Sequence, residues 1–208
     1  MWPFPVARAA SGCACCGAWC DEAGLRATFF QNNHQQIITS MPIPDFIKSL
    51  RSKIGTELLQ VPTAAVMVHD DQGRLLLVQD AKSGLWGLPS GIIDPYELPS
   101  DAAVRETCEE AGVFVELTHL LGVFAGEHFS HVYENGDQLA VVSTVFAARV
   151  VRGTPHGDDE ETSDARFFSP AEIDSLPCAR YFLVIRKAIS QNQSRAYFKP
   201  ATWQPPDV

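Results

Sequence analysis

The segment from Gly91 to Val113 reads GIIDPYELPSDAAVRETCEEAGV, and its spacing predicts one short helix on which Glu106, Glu109 and Glu110 crowd a single face. At 3.6 residues per turn, Glu106 stands i, i+3 from Glu109 and i, i+4 from Glu110. Like charges so placed destabilise a helix by about a few tenths of a kcal/mol per pair. A divalent cation reverses that sign. Oxygen-only ligands favour a hard ion that keeps several waters and meets substrate phosphates, which points to Mg²⁺, with Mn²⁺ as a close substitute. Elsewhere such charges commonly mean a solvated face with an i, i+4 ion pair from Arg105 to Glu109. Gly91 and Glu97 serve no exposed helix, however, and suit a loop folded against a metal site.

Gly91, Glu97, Arg105, Glu106, Glu109, Glu110 and Gly112 stand at offsets that resemble the Nudix box. That pattern is Gly, five residues, Glu, seven residues, Arg-Glu, an apolar residue, any residue, Glu-Glu, any residue, Gly and an apolar residue. All seven invariant letters fit, and average residue usage would produce them by chance on the order of once in a million such chains. Thr107 departs from the usual aliphatic residue, but its methyl group can still face a core. Just upstream, Trp86-Gly87-Leu88-Pro89-Ser90 resembles the Trp-x-Leu-Pro-Gly that enters the family's box, with Ser90 in place of the last Gly. In the family the backbone carbonyl there reaches the metal, so Ser90 fits only with a negative φ.

The resemblance implies an α/β fold, the Nudix α/β/α sandwich with a mixed β-sheet between helices. It further implies a Mg²⁺-dependent hydrolase that cleaves the pyrophosphate linkage of a nucleoside diphosphate joined to another moiety. Glu109 and Glu110 are then metal ligands, Glu106 is either a third ligand or the general base, and Arg105 fixes its carboxylate. Gly91, Glu97 and Gly112 shape the motif. The family often adds an acid from outside the box. Here Glu160 and Glu161 of the run Gly157-Asp158-Asp159-Glu160-Glu161 are the candidates, with Glu161 preferred, although an acidic run is also a common solvated loop. The overall look is similar to general bacterial Nudix proteins of the ADP-ribose pyrophosphatase-like kind. The alternative is a Nudix domain that senses a nucleotide without hydrolysing it. Lost box carboxylates or a basic DNA-binding region would mark it, whereas this box is complete and the chain acidic.

With 16 Lys plus Arg against 25 Asp plus Glu, the 208-residue chain has a formal net charge of −9, which opposes attraction to nucleic acids and anionic membranes. A small nucleotide is the expected partner. No stretch reaches the roughly 18 apolar residues of a membrane span, and no repeat recurs at about 20 to 50 residues. Residues 1–40 carry Cys13, Cys15, Cys16 and Cys20 and a polar Gln/Asn/His patch. They read as a disordered extension rather than a zinc site, which normally uses two separated knuckles. No apolar h-region precedes the Ala10-Ser11-Gly12-Cys13 stretch, and Cys108 and Cys178 read as small core or boundary residues whose reduced thiols fit that absence of an export signal and a cytoplasmic protein.

Residues 41–60 are expected to hold a packing helix or a homodimer contact, residues 61–192 the Nudix domain, and residues 193–208 a tail. Asp45 can cap that helix, whose apolar positions are Phe46, Leu50, Ile54 and Leu58. Ala64 to Val68, the turn Asp70-Asp71-Gln72-Gly73 and Leu75 to Val78 read as a hairpin. Ser100 can cap the box helix, with Ala103, Thr107 and Ala111 toward the sheet and the acids facing away from the core. Beyond the box come two strands, Phe114 to Leu117 and Leu120 to Phe124. A hairpin turn at Glu134-Asn135-Gly136-Asp137 then leads into a long strand from Leu139 to Val151. After a loop come a strand from Ala165 to Phe168, a Ser169 cap and a helix from Cys178 to Ser190. Phe124, His128, Phe129, His131 and Tyr133 either contact a base, or the Phe rings are core and the His rings exposed.

Overall fold

A computed structural model of the chain describes residues 44–191 and 195–198. The expectations for residues 1–40 and for 199–208 lie outside the described residues. In chain order the elements are α1 (Asp45–Ile54), β1 (Leu59–Val68), β2 (Leu75–Asp80), β3 (Trp86–Gly87), β4 (Ser90–Ile92), α2 (Pro99–Ala111) and β5 (Phe114–Phe124). A turn of 3₁₀ helix (Glu127–Phe129), β6 (Ser130–Val132), β7 (Gln138–Arg152), β8 (Thr162–Phe168), α3 (Pro170–Ile173) and α4 (Arg180–Ser190) follow.

Two sheets form the middle layer. One runs β4-β1-β7-β5, with β6 also on β7, and the other runs β3-β2-β8. β1 is parallel to β7 from Leu59 opposite Leu139 to Val68 opposite Ala148, and antiparallel to β4. Strand side chains alternate between faces, and the two cores follow that period. Ala64, Val66 and Val68 pack with Ala102, Ala103 and Ala111 of α2, while Ala65 and Met67 pack with Phe182, Ile185 and Ala188 of α4. β2 divides the same way, Leu76 and Val78 toward α2, Leu75 and Leu77 toward α4. The result is the α/β/α sandwich.

Several local expectations are corrected. The turn at Asp70 forms, with Gly73 N–H donating to Asp70 O at 3.0 Å and Asp70 N–H to Arg74 O at 3.0 Å. Its strands meet only at the His69–Leu75 bridge and then enter different sheets, because β1 is already flanked by β4 and β7. Helix α1 stops at Ile54, where Gly55 takes φ 60° and donates to Arg51 O, so Leu58 is outside it and exposed. Its buried residue is Ile47, and Asp45 makes no capping bond. Arg51 fastens the helix to the β6–β7 hairpin, 2.7 Å from Gln138 O.

Helix α2 starts a residue before Ser100, with Leu98 at the N-cap and Pro99, whose fixed φ suits a first helical turn, next. Ala103, Thr107 and Ala111 are fully buried, as their spacing requires. Phe114 to Phe124 is one irregular strand, β8 begins earlier at Thr162, and Ser169 and Glu172 form a reciprocal capping box.

Candidate active site

The box is built where α2 crosses β4. Gly112 ends the helix in the left-handed region at φ 66°, with its N–H on Cys108 O. The ring of His156 covers the space where a Cβ at Gly112 would stand. At the other end, the loop from Ile93 brings Glu97 back over the helix.

Arg105 organises the acids. Its Nε and Nη2 reach the two oxygens of Glu97 at 2.9 Å each, Nη2 also reaches Ile92 O at 3.1 Å, and Nη1 bridges Glu106 Oε1 at 2.6 Å and Glu109 Oε2 at 3.0 Å. Those bonds occupy all five N–H donors of the guanidinium. Glu97 also accepts Asp94 N–H. Burial pushes Glu97 upward, but the Arg105 bonds outweigh it and hold the carboxyl below its ordinary value.

The remaining acids lie differently from the expectation that they face away from the core: only Glu109 is exposed, while Glu106 and Glu110 are buried. Burial pushes Glu106 up to about 7, against the pull of Arg105. Glu110 is raised well above the ordinary range, first by burial and then by Glu106, although Ser90 N–H donates to its Oε2 at 2.8 Å. Ser90 opens β4 opposite Ala65 and is not among the residues with positive φ, so its side chain fits extended backbone.

Glu161 belongs to the same electrostatic group. Burial, then Asp158, Glu106 and Glu109, push it up to about 8. Asp158 shapes this loop by accepting the N–H groups of Glu160, Glu161 and Thr162 at 2.9, 2.7 and 2.8 Å. Thr162 Oγ1 donates to Glu110 O at 2.6 Å, tying the loop to α2. Sequence reasoning missed both Asp158 and Thr162 as organisers. The signal was an Asp four residues before a Thr, a spacing that suits local side-chain capping.

The other sequence candidates separate. Phe124 and Phe129 are core, and Phe124 stacks on Phe129 at 6.1 Å and on Tyr197 at 5.1 Å, so its faces are taken. Phe124 is therefore not an open surface for a base. His128 is partly exposed and 3.5 Å from Glu127. Tyr133 is partly buried beside His131, with ring centroids 4.5 Å apart.

Among the described residues, no three His, Cys, Asp or Glu side chains converge to hold a metal as they stand. The donor chemistry nevertheless fits a hard cation. Glu106 Oε2, Glu109 Oε1 and Glu110 Oε1 have no hydrogen bond among the described residues, and their partner oxygens are the ones that Arg105 and Ser90 hold.

A sheet layer between helices, with an Arg-braced acid cluster on α2, is the arrangement that the box pattern implied. Residues 59–188 match the NUDIX domain, and the chain belongs to the Nudix family. It is 30% identical over 132 residues to a "MutT-like protein" of Streptomyces ambofaciens, covering 64% of this chain and 78% of the relative. It is also 30% identical over 110 residues to a "Putative 8-oxo-dGTP diphosphatase" of Bacillus subtilis, covering 53% and 67%. Among solved structures, a NUDIX hydrolase from Nitrosomonas europaea superposes with a TM-score of 0.54 at 23% identity, over 67% of this chain and 76% of that one. A MutT NUDIX hydrolase from Burkholderia pseudomallei gives 0.52 at 25% identity, over 64% and 98%. Nudix hydrolases generally use divalent metals, and among the described residues no helix is long and apolar enough to cross a membrane.

Proposed function

We propose that this enzyme cleaves the pyrophosphate linkage of a nucleoside diphosphate joined to another group, ADP-ribose being the type, in a Mg²⁺-dependent reaction. The observation that carries the reading is the pair of buried box carboxylates, Glu106 and Glu110, each with one oxygen held and one available. Buried carboxylates without sufficient positive charge are unfavourable, and a cation offsets that penalty.

Glu106, Glu109 and Glu110, with the Ser90 carbonyl and Glu161, are the groups that would hold the ion. When bound, Mg²⁺ supplies charge to the phosphate oxygens and lowers the pKa of a coordinated water. Arg105 orients Glu106 and Glu109, and Ser90 N–H orients Glu110. Glu106 either completes that ligand set or takes the proton from the attacking water. Since the five donors of Arg105 are occupied, it acts on the acids rather than on substrate. His128 and Tyr133 remain the candidates for the nucleotide end.

The test is nucleotide or phosphate release from ADP-ribose, NADH, dinucleoside polyphosphates, nucleotide sugars and nucleoside triphosphates, with and without Mg²⁺. The Bacillus relative's name makes 8-oxo-dGTP a necessary member of that panel. Mg²⁺-dependent cleavage of a linked nucleoside diphosphate is expected. Preference for a nucleoside triphosphate would move the substrate class, and binding without cleavage would remove the reading.

A further inference from the structure

The last turn of α2 carries Glu109 and Glu110, and a helix leaves its final carbonyls without partners of its own. The segment between β7 and β8 supplies them. His156 N–H donates to Ala111 O at 3.1 Å, and Thr162 Oγ1 donates to Glu110 O at 2.6 Å. The fit is close on either side of Gly112: a Cβ on Gly153 would collide with Gly112 O, and the His156 ring, whose Nδ1 donates to Thr154 O at 2.9 Å, fills the space beside the helix end. On its far side the segment is fixed to β2, by Ala81 N–H on Glu161 O at 2.9 Å and by the pairing of Thr162 with Asp80. Thr162 is buried, so water offers Glu110 O no ready substitute for its hydroxyl.

Glu110 is thus held twice, by different strands: its carboxylate by Ser90 N–H of β4 at 2.8 Å, and its backbone carbonyl by the Thr162 hydroxyl of β8. We propose that Thr162 is a positioning residue of the active site: its hydroxyl caps the box helix at Glu110 itself and fixes the last turn, so that Glu109 and Glu110 meet the cation in one arrangement. The inference rests on the reading that these acids hold a divalent cation. Helix ends fray, and each frayed conformer carries a ligand away from the ion, whereas a supported turn keeps the ligands in place before the ion arrives. Thr162 acts through Glu110 without touching substrate or metal.

The experiment uses the full chain and Mn²⁺ alone as probe, titrated by electron paramagnetic resonance, alongside kcat and KM on the best substrate of the panel. Thr162→Val keeps the branched shape and removes the hydroxyl. It is expected to weaken Mn²⁺ binding about three- to tenfold and to lower kcat similarly with KM unchanged. Thr162→Ser, which keeps the hydroxyl and loses only the methyl group, is expected to recover most of both. Thr162→Ala serves in place of the valine variant if that one folds poorly. A lower melting temperature with Mn²⁺ affinity as in the wild type, or a serine variant as impaired as the valine one, would overturn the inference alone. No Mn²⁺ binding by the wild type would overturn the metal-site reading and the inference with it.

Discussion

Glu97 and Glu110 belong to one motif, both are withdrawn from water, and their carboxyl groups shift in opposite directions. Glu97 receives two guanidinium bonds and a backbone N–H, enough to overcome burial. Glu110 receives one backbone N–H, beside a second buried acid, and burial wins. The difference shows that the motif completes the charge of its scaffold and leaves the charge of its working acids incomplete. Residue type alone does not distinguish them; the number and charge of the donors do.

The comparison can be broken most severely through activity. Glu106→Gln and Glu110→Gln are each expected to lower turnover by about two to four orders of magnitude with the fold retained, the range for a lost proton-transfer or metal group. Steady-state rates with circular dichroism of each variant check it, and wild-type-like turnover in either would remove its assignment.

A smaller effect concerns acidity. Glu106 is raised from 4.5 to about 7, so the folded protein holds a proton that the unfolded chain releases. That contribution is fully present below about pH 4.5 and is lost as the pH rises through about 7, some 3 kcal/mol in all. Melting temperatures in chelator should therefore fall across this interval, and Mg²⁺ should flatten the slope. A flat profile in chelator would mean that the acids are already compensated.

The smallest effect sharpens the contrast by sign. Glu97→Gln should destabilise the metal-free protein by about 1 to 3 kcal/mol, because charged hydrogen bonds to Arg105 are weakened. Glu110→Gln, neutral and able to keep the Ser90 bond, should stabilise it. Chemical denaturation in chelator measures both, and equal signs would end the distinction between the two settings.

The sequence made the box, the sheet-facing Ala103, Thr107 and Ala111, and the hairpin at Tyr133 to Asp137 legible, because each is set by short-range periodicity or turn chemistry. It misled where the decisive partner is remote. β1 reads locally as half of a hairpin with β2, yet its principal neighbour is β7, some eighty residues on. The acids of α2 read as outward, yet Glu106 and Glu110 are buried, and Glu161, which belongs to the same group of acids, lies some fifty residues beyond the helix in the sequence. Ser100 has the right residue type for a cap, but Pro99 starts the helix first.

The parallel pairing of β1 with β7 bears on the order in which the chain can be assembled. A nascent chain shorter than about residue 140 holds β1 with one flank unpaired, and an apolar strand in that state is a template for neighbouring chains. Loop closure over so long a separation is slow. Ribosome-stalled fragments ending before Gln138 should therefore depend on chaperones, and that dependence should disappear once β7 has emerged.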